Sequence, residues 1–323
     1  MVGGFLVFVL ALGYFFYGLQ PSFVEKEGPV SFGISKGESF RSIGARLSQE
    51  GLVRSISVFK VYALLTGSAQ KFQPGMYELA STMSVPELVR ALTSVGKNEV
   101  AVTIPEGYTL KDIEAVLSKQ GVLEEGALSA FEFHRLILDY PFLEGAGSLE
   151  GFLFPDTYRF ERGSSPDEIV RRFLDTFQAK AWVLLKEHQS WHDRLILASY
   201  LEREVPEFQD RRIVAGILLR RLQLGMPLQV DATISYAKCK GRFADCEGVR
   251  ILRSDLTFVS PYNTYQRMGW TPTPISNPGE AAIKAALNSE KTKYLYYLSE
   301  RETGITHFSR TLEEHNSKRL KYL

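Results

Sequence analysis

The first 24 residues carry no charged side chain, and residues 3–19 are almost entirely apolar. With the first two residues the run reaches about 19, enough for one helix to cross a bilayer. A cleaved signal peptide is the alternative, but the segment lacks a basic n-region, and aromatics at residues 14–17 occupy the place of a small-residue cleavage site. Aromatics are typical of a membrane interface. The pattern predicts a transmembrane anchor over residues 1–21, whose orientation the local charges do not decide.

The apolar and polar positions that follow repeat with an offset of 70 residues. Residues 34–53 and 104–123 share Ile, then Gly, then Ser or Thr, apolar residues four apart, and a closing Gly. A weaker third copy covers residues 84–96, where Ser84 and Glu87 have capping-box spacing. Each copy is typical of a strand, a glycine turn and a short capped helix. These units resemble LysM-like modules, which bind glycans, but a compact α+β spacer would produce the same pattern. We assign residues 29–125 to this region and residues 126–148 to a connector.

A helical pattern in the second half contains an acidic residue on an apolar face. At about 100° per residue, Glu204 shares a face with leucines three and seven residues before it, and Glu202 falls on the opposite face, where water is expected. Burial would raise the pKa of Glu204 and suit it to general acid catalysis at neutral pH. The alternative is a buried glutamate that pairs with an arginine of residues 211–221.

Two polar segments provide candidate binding residues. The first follows a Gly-Met-Pro helix stop and is predicted to be extended; the second follows Ser-Pro and precedes a proline-rich stretch. Tyr and Asn suit sugar recognition by stacking and amide hydrogen bonds, although ordinary turns use the same residues. The candidates are Gln229, Asp231, Thr233, Tyr262, Asn263 and Thr264.

Composition narrows the function classes. The chain has 323 residues, 45% hydrophobic and 23% charged, as in globular proteins. A net charge of +1 argues against a nucleic-acid partner and leaves a neutral polymer open. No phosphate-binding motif and no histidine pair with ligand spacing occurs in the sequence, so we expect no cofactor and no metal site. Outside the cytoplasm Cys239 and Cys246 would form a small disulfide loop, with free thiols as the alternative.

Four strings in a fixed order resemble the endolytic murein transglycosylase family, also called YceG-like. They are LEGFLFPDTY (149–158), ASYLEREV (198–205), RLQLGMPLQVDATISYA (221–237) and SPYNTYQRMGWTPTPISNPGEAAIKAAL (260–287). KYLYYLSE, ITHFS and EEHN extend the resemblance toward the C-terminus. It implies an α+β protein with a transmembrane helix, LysM-like modules and a mixed α+β catalytic domain over residues 149–323. The cysteine-bearing insert departs from the family pattern.

The resemblance implies an enzyme that cuts the MurNAc–GlcNAc bond within peptidoglycan strands and leaves 1,6-anhydro ends, which would terminate nascent strand elongation. Glu204 would act first as acid and then as base for the muramic C6 hydroxyl. The six candidates above would bind sugar together with Glu150, for which a helix cap or salt bridge is the alternative. The implied location is the bacterial cytoplasmic membrane, single-pass, with the catalytic domain outside. Implied partners are glycan strands, the membrane and cell-wall synthases.

Two other function classes remain open from the sequence. One is a non-catalytic peptidoglycan-binding scaffold of the envelope. The other is a glycoside hydrolase that uses Glu204 with Asp231, because ordinary glycosidases need two carboxylates. An internal hydroxyl nucleophile would remove that need.

Overall fold

The computed structural model describes residues 2–22, 28–35, 37–93, 99–246, 251–300 and 303–322, without the side chains of residues 2–6, 245 and 246. The chain forms two compact units. Unit 1 consists of Met1–Val100 and Arg159–Gly163, and unit 2 consists of Ala101–Tyr158 and Ser164–Leu323. Leu149, where the sequence suggested that the catalytic domain starts, lies within unit 2, and that boundary stays a prediction.

Unit 1 packs helices on a two-stranded sheet. Strands β1 and β2 are antiparallel, with Phe32 opposite Tyr77. Apolar residues at helical spacing, such as Ile43 and Leu47, are buried against this sheet. The elements are α1 (Val2–Gly18), β1 (Val30–Ile34), α2 (Phe40–Gln49), α3 (Ile56–Leu65), β2 (Gly75–Leu79) and α4 (Val85–Thr93).

Helix α1 forms within the apolar N-terminal run and ends at Gly18 after 17 residues. In the described part of the chain, no helix combines the length and the apolar character that a membrane span requires. The transmembrane helix predicted over residues 1–21 is therefore not found.

The repeated sequence pattern produces the same local structure twice. Helix α2 begins after Ser39, whose side chain accepts the Ser42 N–H. Helix α5 (Leu110–Lys119) begins 70 residues later, after Thr109, which forms a capping box with Asp112. Glycines at positive φ precede and follow both helices, namely Gly37, Gly51, Gly107 and Gly121. The first copy lies in unit 1 and the second in unit 2. The third copy forms α4, and its Gly96 lies outside the described residues.

Unit 2 surrounds a central helix, α8, with other helices. Helices α9 and α11 contact α8 and each other, and strands β5 and β6 form an antiparallel hairpin that contacts α12. Strand β3 (Glu99–Thr103) pairs with β4 (Thr157–Glu161), and the division between the units falls within both strands, since residues 99–100 and 159–161 belong to unit 1. The remaining elements are α6 (Pro166–Phe177), α7 (Val183–Leu185), α8 (Trp191–Glu204), α9 (Phe208–Gln223), α10 (Asp231–Lys238), α11 (Glu280–Leu287), β5 (Tyr296–Ser299), β6 (Thr306–Ser309) and α12 (Leu312–Tyr322). Short 3₁₀ turns occur at Phe133–Leu136, Pro141–Leu143, Phe243–Cys246 and Arg253–Thr257, and a π-helical turn at Gln178–Trp182 joins α6 to α7.

The prediction that Glu202 faces water is wrong. The Glu202 side chain is only 5% exposed and forms an ion pair with Arg211 of α9 at 2.7 Å. Its second oxygen accepts the Gly279 N–H at 2.9 Å, just before α11 begins. Because α9 and α11 both pack against α8, residues 195–201 are all buried and this stretch has no solvent side. Pairing with an arginine of residues 211–221 was the alternative considered for Glu204, and the structure shows this pairing for Glu202 instead.

Candidate active site

A polar cavity of about 640 Å³ opens in unit 2, and Glu204 lines it. Its walls come from the end of α8, residues 221–235, the loop 251–265, β5 and α12. Pro206 ends the helical pattern, so Glu204 is the last residue of α8 and Val205 is already extended. The end of the buried helix therefore delivers one carboxyl group to an open space.

Two neutral donors hold the Glu204 carboxyl group. The Ala232 N–H, in the first turn of α10, donates to Oε1 at 2.9 Å, and the Tyr297 hydroxyl of β5 donates to Oε2 at 3.3 Å. Burial, and next the charge of Asp231, raises the pKa of Glu204 to about 7. The negative end of the α8 dipole acts in the same direction. A carboxyl group of this kind is poised to give and take a proton near neutral pH.

Asp231 lies in the same cavity at the start of α10. Its Oδ1 accepts the Tyr265 hydroxyl at 2.6 Å. The prediction of an extended segment here is wrong, because helix α10 begins at Asp231 itself. An acidic residue in a first turn is stabilised by the unpaired N–H groups and the helix dipole, and one of those N–H groups is the Ala232 donor to Glu204.

Gln229 also lines the cavity, and its backbone is in the left-handed region at φ 55°. This conformation is strained for a non-glycine residue, and a residue keeps it only where its neighbours hold the backbone in place. The Gln229 N–H donates to the Thr264 carbonyl, and its side-chain oxygen accepts Nη2 of Arg221 at 3.1 Å. Gln229 and Asp231 are thus the two predicted binding residues that share the cavity with Glu204.

Thr233 and Thr264 are fully buried and support the cavity from behind. Their hydroxyls lie 3.0 Å apart, and Thr264 Oγ1 accepts the Val230 N–H at 2.9 Å. The Thr233 hydroxyl donates to the Val230 carbonyl at 2.7 Å. This network fixes the turn that leads into α10, and neither threonine lines the cavity.

Asn263 and Tyr262 also make structural contacts. The buried Asn263 amide donates to the carbonyls of Leu256 and Phe258 and accepts the Tyr265 N–H, which shapes the loop that carries Tyr265. The Tyr262 hydroxyl lies 2.8 Å from Thr273 Oγ1. Neither residue lines the cavity.

Glu150 is 2% exposed and lies away from the cavity lining. Its carboxyl group accepts the Leu110 N–H at the start of α5, the Asn277 amide and the Tyr236 hydroxyl, at 3.0–3.1 Å. Burial raises the pKa of Glu150 to about 8. Its contacts match the helix-cap alternative and tie α5 to α10.

Comparison with known proteins bears on the identity of the chain. A family model described as the YceG-like family matches residues 32–321. The chain belongs to the YceG-like family. It is 33% identical to a Bacillus subtilis protein named endolytic murein transglycosylase, and the match covers 96% of this chain and 90% of that one. A Streptococcus pneumoniae protein of the same name is 29% identical over 97% of this chain, which spans 63% of that longer relative.

A solved structure is also similar. The crystal structure of a YceG-like protein from Listeria monocytogenes matches with a TM-score of 0.58 and 30% identity, covering 91% of this chain and all of that one. Family membership and a common fold therefore rest on two independent kinds of comparison.

In this member of the YceG-like family, sequence reasoning missed much of the cavity wall. Tyr297 donates to Glu204, and Tyr296 lies between Arg221 and His315, with the Arg221 guanidinium carbon 5.0 Å from its ring centre. Tyr296 and Tyr297 fall within KYLYYLSE, and His315 falls within EEHN. The only sequence feature that pointed to these residues was their position within strings that resemble the family. Local spacing could not have related Tyr297 to Glu204, because the two residues are 93 positions apart.

The proposed disulfide remains a prediction. Cys239 is buried at the end of α10, and the side chain of Cys246 lies outside the described part of the structure.

Proposed function

We propose that this protein is an endolytic peptidoglycan lytic transglycosylase in which Glu204 is the single acid/base catalyst. The observation that carries the proposal is the raised pKa of Glu204, about 7, at the wall of a polar cavity large enough for sugar units. The names of the relatives from Bacillus subtilis and Streptococcus pneumoniae support the same activity.

The mechanism follows from one carboxyl group with two states. The protonated Glu204 donates its proton to the glycosidic oxygen as the bond from C1 of MurNAc to that oxygen breaks. The resulting carboxylate is stabilised by the Ala232 N–H and the Tyr297 hydroxyl. It then takes the proton of the muramic C6 hydroxyl as O6 attacks C1, which closes the 1,6-anhydro ring and regenerates the acid. No water is consumed, and the nucleophile on the same sugar supplies the advantage of an intramolecular reaction.

The presence of Asp231 in the same cavity favours hydrolysis as a second candidate. Two carboxylates that face one bond can activate water as well as protonate the leaving group. Against this role, Asp231 is engaged by the Tyr265 hydroxyl and lies beside the N–H that holds Glu204. We therefore assign Asp231 to the electrostatic control of Glu204 and to sugar contacts together with Gln229.

Product mass separates these chemistries. The full chain in detergent is incubated with uncrosslinked glycan strands, and the fragments are weighed. Internal fragments that are one water lighter than hydrolysed sugars support lytic cleavage. Reducing ends at full mass would transfer the assignment to a hydrolase. Strands that are bound and left uncut would favour the scaffold.

Location and accessory roles complete the proposal. The uncharged N-terminal run supports attachment to the bacterial cytoplasmic membrane. A catalytic unit outside the cytoplasm, near cell-wall synthases, follows from the proposed peptidoglycan substrate. The repeated strand–helix pattern supports LysM-like glycan contacts. Fractionation of cells that express the full chain or a chain without residues 1–21 tests attachment: the full chain should sediment with membranes and the shortened chain should not. Equal sedimentation would contradict it.

A further inference from the structure

Helix α12 presents one face to the cavity. Leu312, His315, Asn316 and Arg319 line it, at spacings of three, four and seven that place them on the same side of the helix. None of the residues in α12 is buried, so core packing does not account for this face. The helix therefore contributes a polar and basic wall.

The basic wall continues onto α9. Arg221, 4% exposed, points its guanidinium group toward Tyr296, whose ring stacks on His315 at 5.3 Å. Burial lowers the pKa of His315, and so do the nearby charges of Arg319, Arg221 and Lys318. Lys318 is paired with Glu314 at 2.7 Å. The electric field at this corner is therefore set by two arginines without a carboxylate partner among the described residues.

The cavity lining carries charges of both signs. Glu204 and Asp231 line it together with Arg203 at the end of α8, Arg221 of α9, Arg253 of the 3₁₀ turn and Arg319 of α12. Four arginines in one cavity lining suit a ligand that brings anionic oxygens, because arginine binds carboxylate and phosphate through paired N–H donors. The sugar backbone of a glycan strand is uncharged and does not require them.

We propose that this basic wall binds carboxylates of the stem peptide on the sugar strand, so that the enzyme selects peptide-bearing strands. The inference rests on the proposed function. MurNAc carries its peptide on the lactyl group of the ring being cleaved, so a stem lies within reach of a wall beside Glu204. The other anionic source on such a substrate is the pyrophosphate of a lipid-linked strand.

The test compares two substrates that differ in charge alone. Uncrosslinked strands with native stems are used beside the same strands after carbodiimide conversion of their carboxylates to amides. We expect the wild-type full chain to cleave native strands with roughly tenfold or higher kcat/KM, the effect of one charge-assisted hydrogen bond. In Arg319→Gln this ratio should fall toward one. Equal loss on both substrates would assign Arg319 a structural role and overturn the proposal.

Arg267→Gln is the matched control, because Arg267 is an exposed arginine of unit 2 outside the cavity lining and its loss changes the net charge equally. Its ratio should equal that of the wild type. A wild type that cleaves both substrates equally would overturn the proposal and leave the proposed function standing. Lipid-linked strands, native and amidated, are then added as a further pair of substrates, and a preference for them that is insensitive to amidation would reassign the wall to pyrophosphate and overturn the proposal as well.

A binding measurement tests the basic wall separately from the proposed catalytic activity. Glu204→Gln, which should not cleave, is titrated by calorimetry with MurNAc-peptide carrying free or amidated carboxylates. Tighter binding of the free acid, lost in Glu204→Gln/Arg319→Gln, supports the wall even if no cleavage is seen with any strand. Equal binding of the two probes would contradict it.

Discussion

At the scale of single residues, two glutamates that are two positions apart have different partners. Glu202 is buried and paired with Arg211, whereas Glu204 is held by neutral donors beside the charge of Asp231. The helical pattern predicted a raised pKa for Glu204, which agrees with its pKa of about 7, whereas its catalytic role stays a prediction. It misplaced Glu202 because periodicity cannot reveal that helices cover α8 on the side assumed to face water.

The pH dependence of activity should report the raised pKa of Glu204. The acid form starts the reaction, so kcat/KM should decline as pH rises through about 7. In Asp231→Asn one of the causes of the raised pKa is removed, and the decline should move to lower pH. Rates measured across pH 5–9 for both proteins check this. An unmoved alkaline limb would contradict the role given to Asp231.

Glu202→Gln should destabilise the fold. It leaves the Arg211 guanidinium group, 8% exposed, without its charged partner, and breaking a buried pair in this way costs about 3–5 kcal/mol. Urea unfolding of the wild type and variant measures the loss. A change within about 0.5 kcal/mol, as at an ordinary surface site, would show that the pair is solvated and that the water-facing prediction was sound after all.

At the scale of elements, helix ends that depend on neighbouring residues were predicted reliably, and those that depend on distant residues were not. The caps at Ser39 and Thr109 and the end of α8 before Pro206 follow from neighbouring residues. The start of α10 was missed because Val230 and Asp231 carry no hydroxyl cap, and distant Thr264 supplies the contact that fixes the turn.

Helix α9 approaches another segment too closely for any side chain at one position. A Cβ added to Gly216 would lie 1.9 Å from the Glu290 carbonyl oxygen, a backbone atom that cannot rotate away. Gly216→Ala should therefore destabilise the protein by about 1–3 kcal/mol or more, despite the better helix propensity of alanine. Thermal unfolding checks the loss, and an unchanged or raised midpoint would contradict this close approach.

At the scale of the whole molecule, the family and the α+β class were evident from the order of the strings, and the cavity was not. Of the seven predicted binding residues, Gln229 and Asp231 line the cavity with Glu204. Glu150, Thr233, Tyr262, Asn263 and Thr264 hold its frame instead. Residues that line the cavity and residues that hold the surrounding loops in place cannot be told apart from the sequence. Both are polar residues in loops, and they differ only in the direction that each side chain takes after folding.

The central claim is that Glu204 alone moves the proton. The most direct measurement is the rate of release of 1,6-anhydro fragments by Glu204→Gln and Glu202→Gln, at a temperature where circular dichroism shows both to be folded. We predict a loss of about 10²–10⁴-fold for Glu204→Gln, as for a removed general acid, and near wild-type turnover for folded Glu202→Gln. Retained activity in Glu204→Gln, or equal losses in the two variants, would contradict the account.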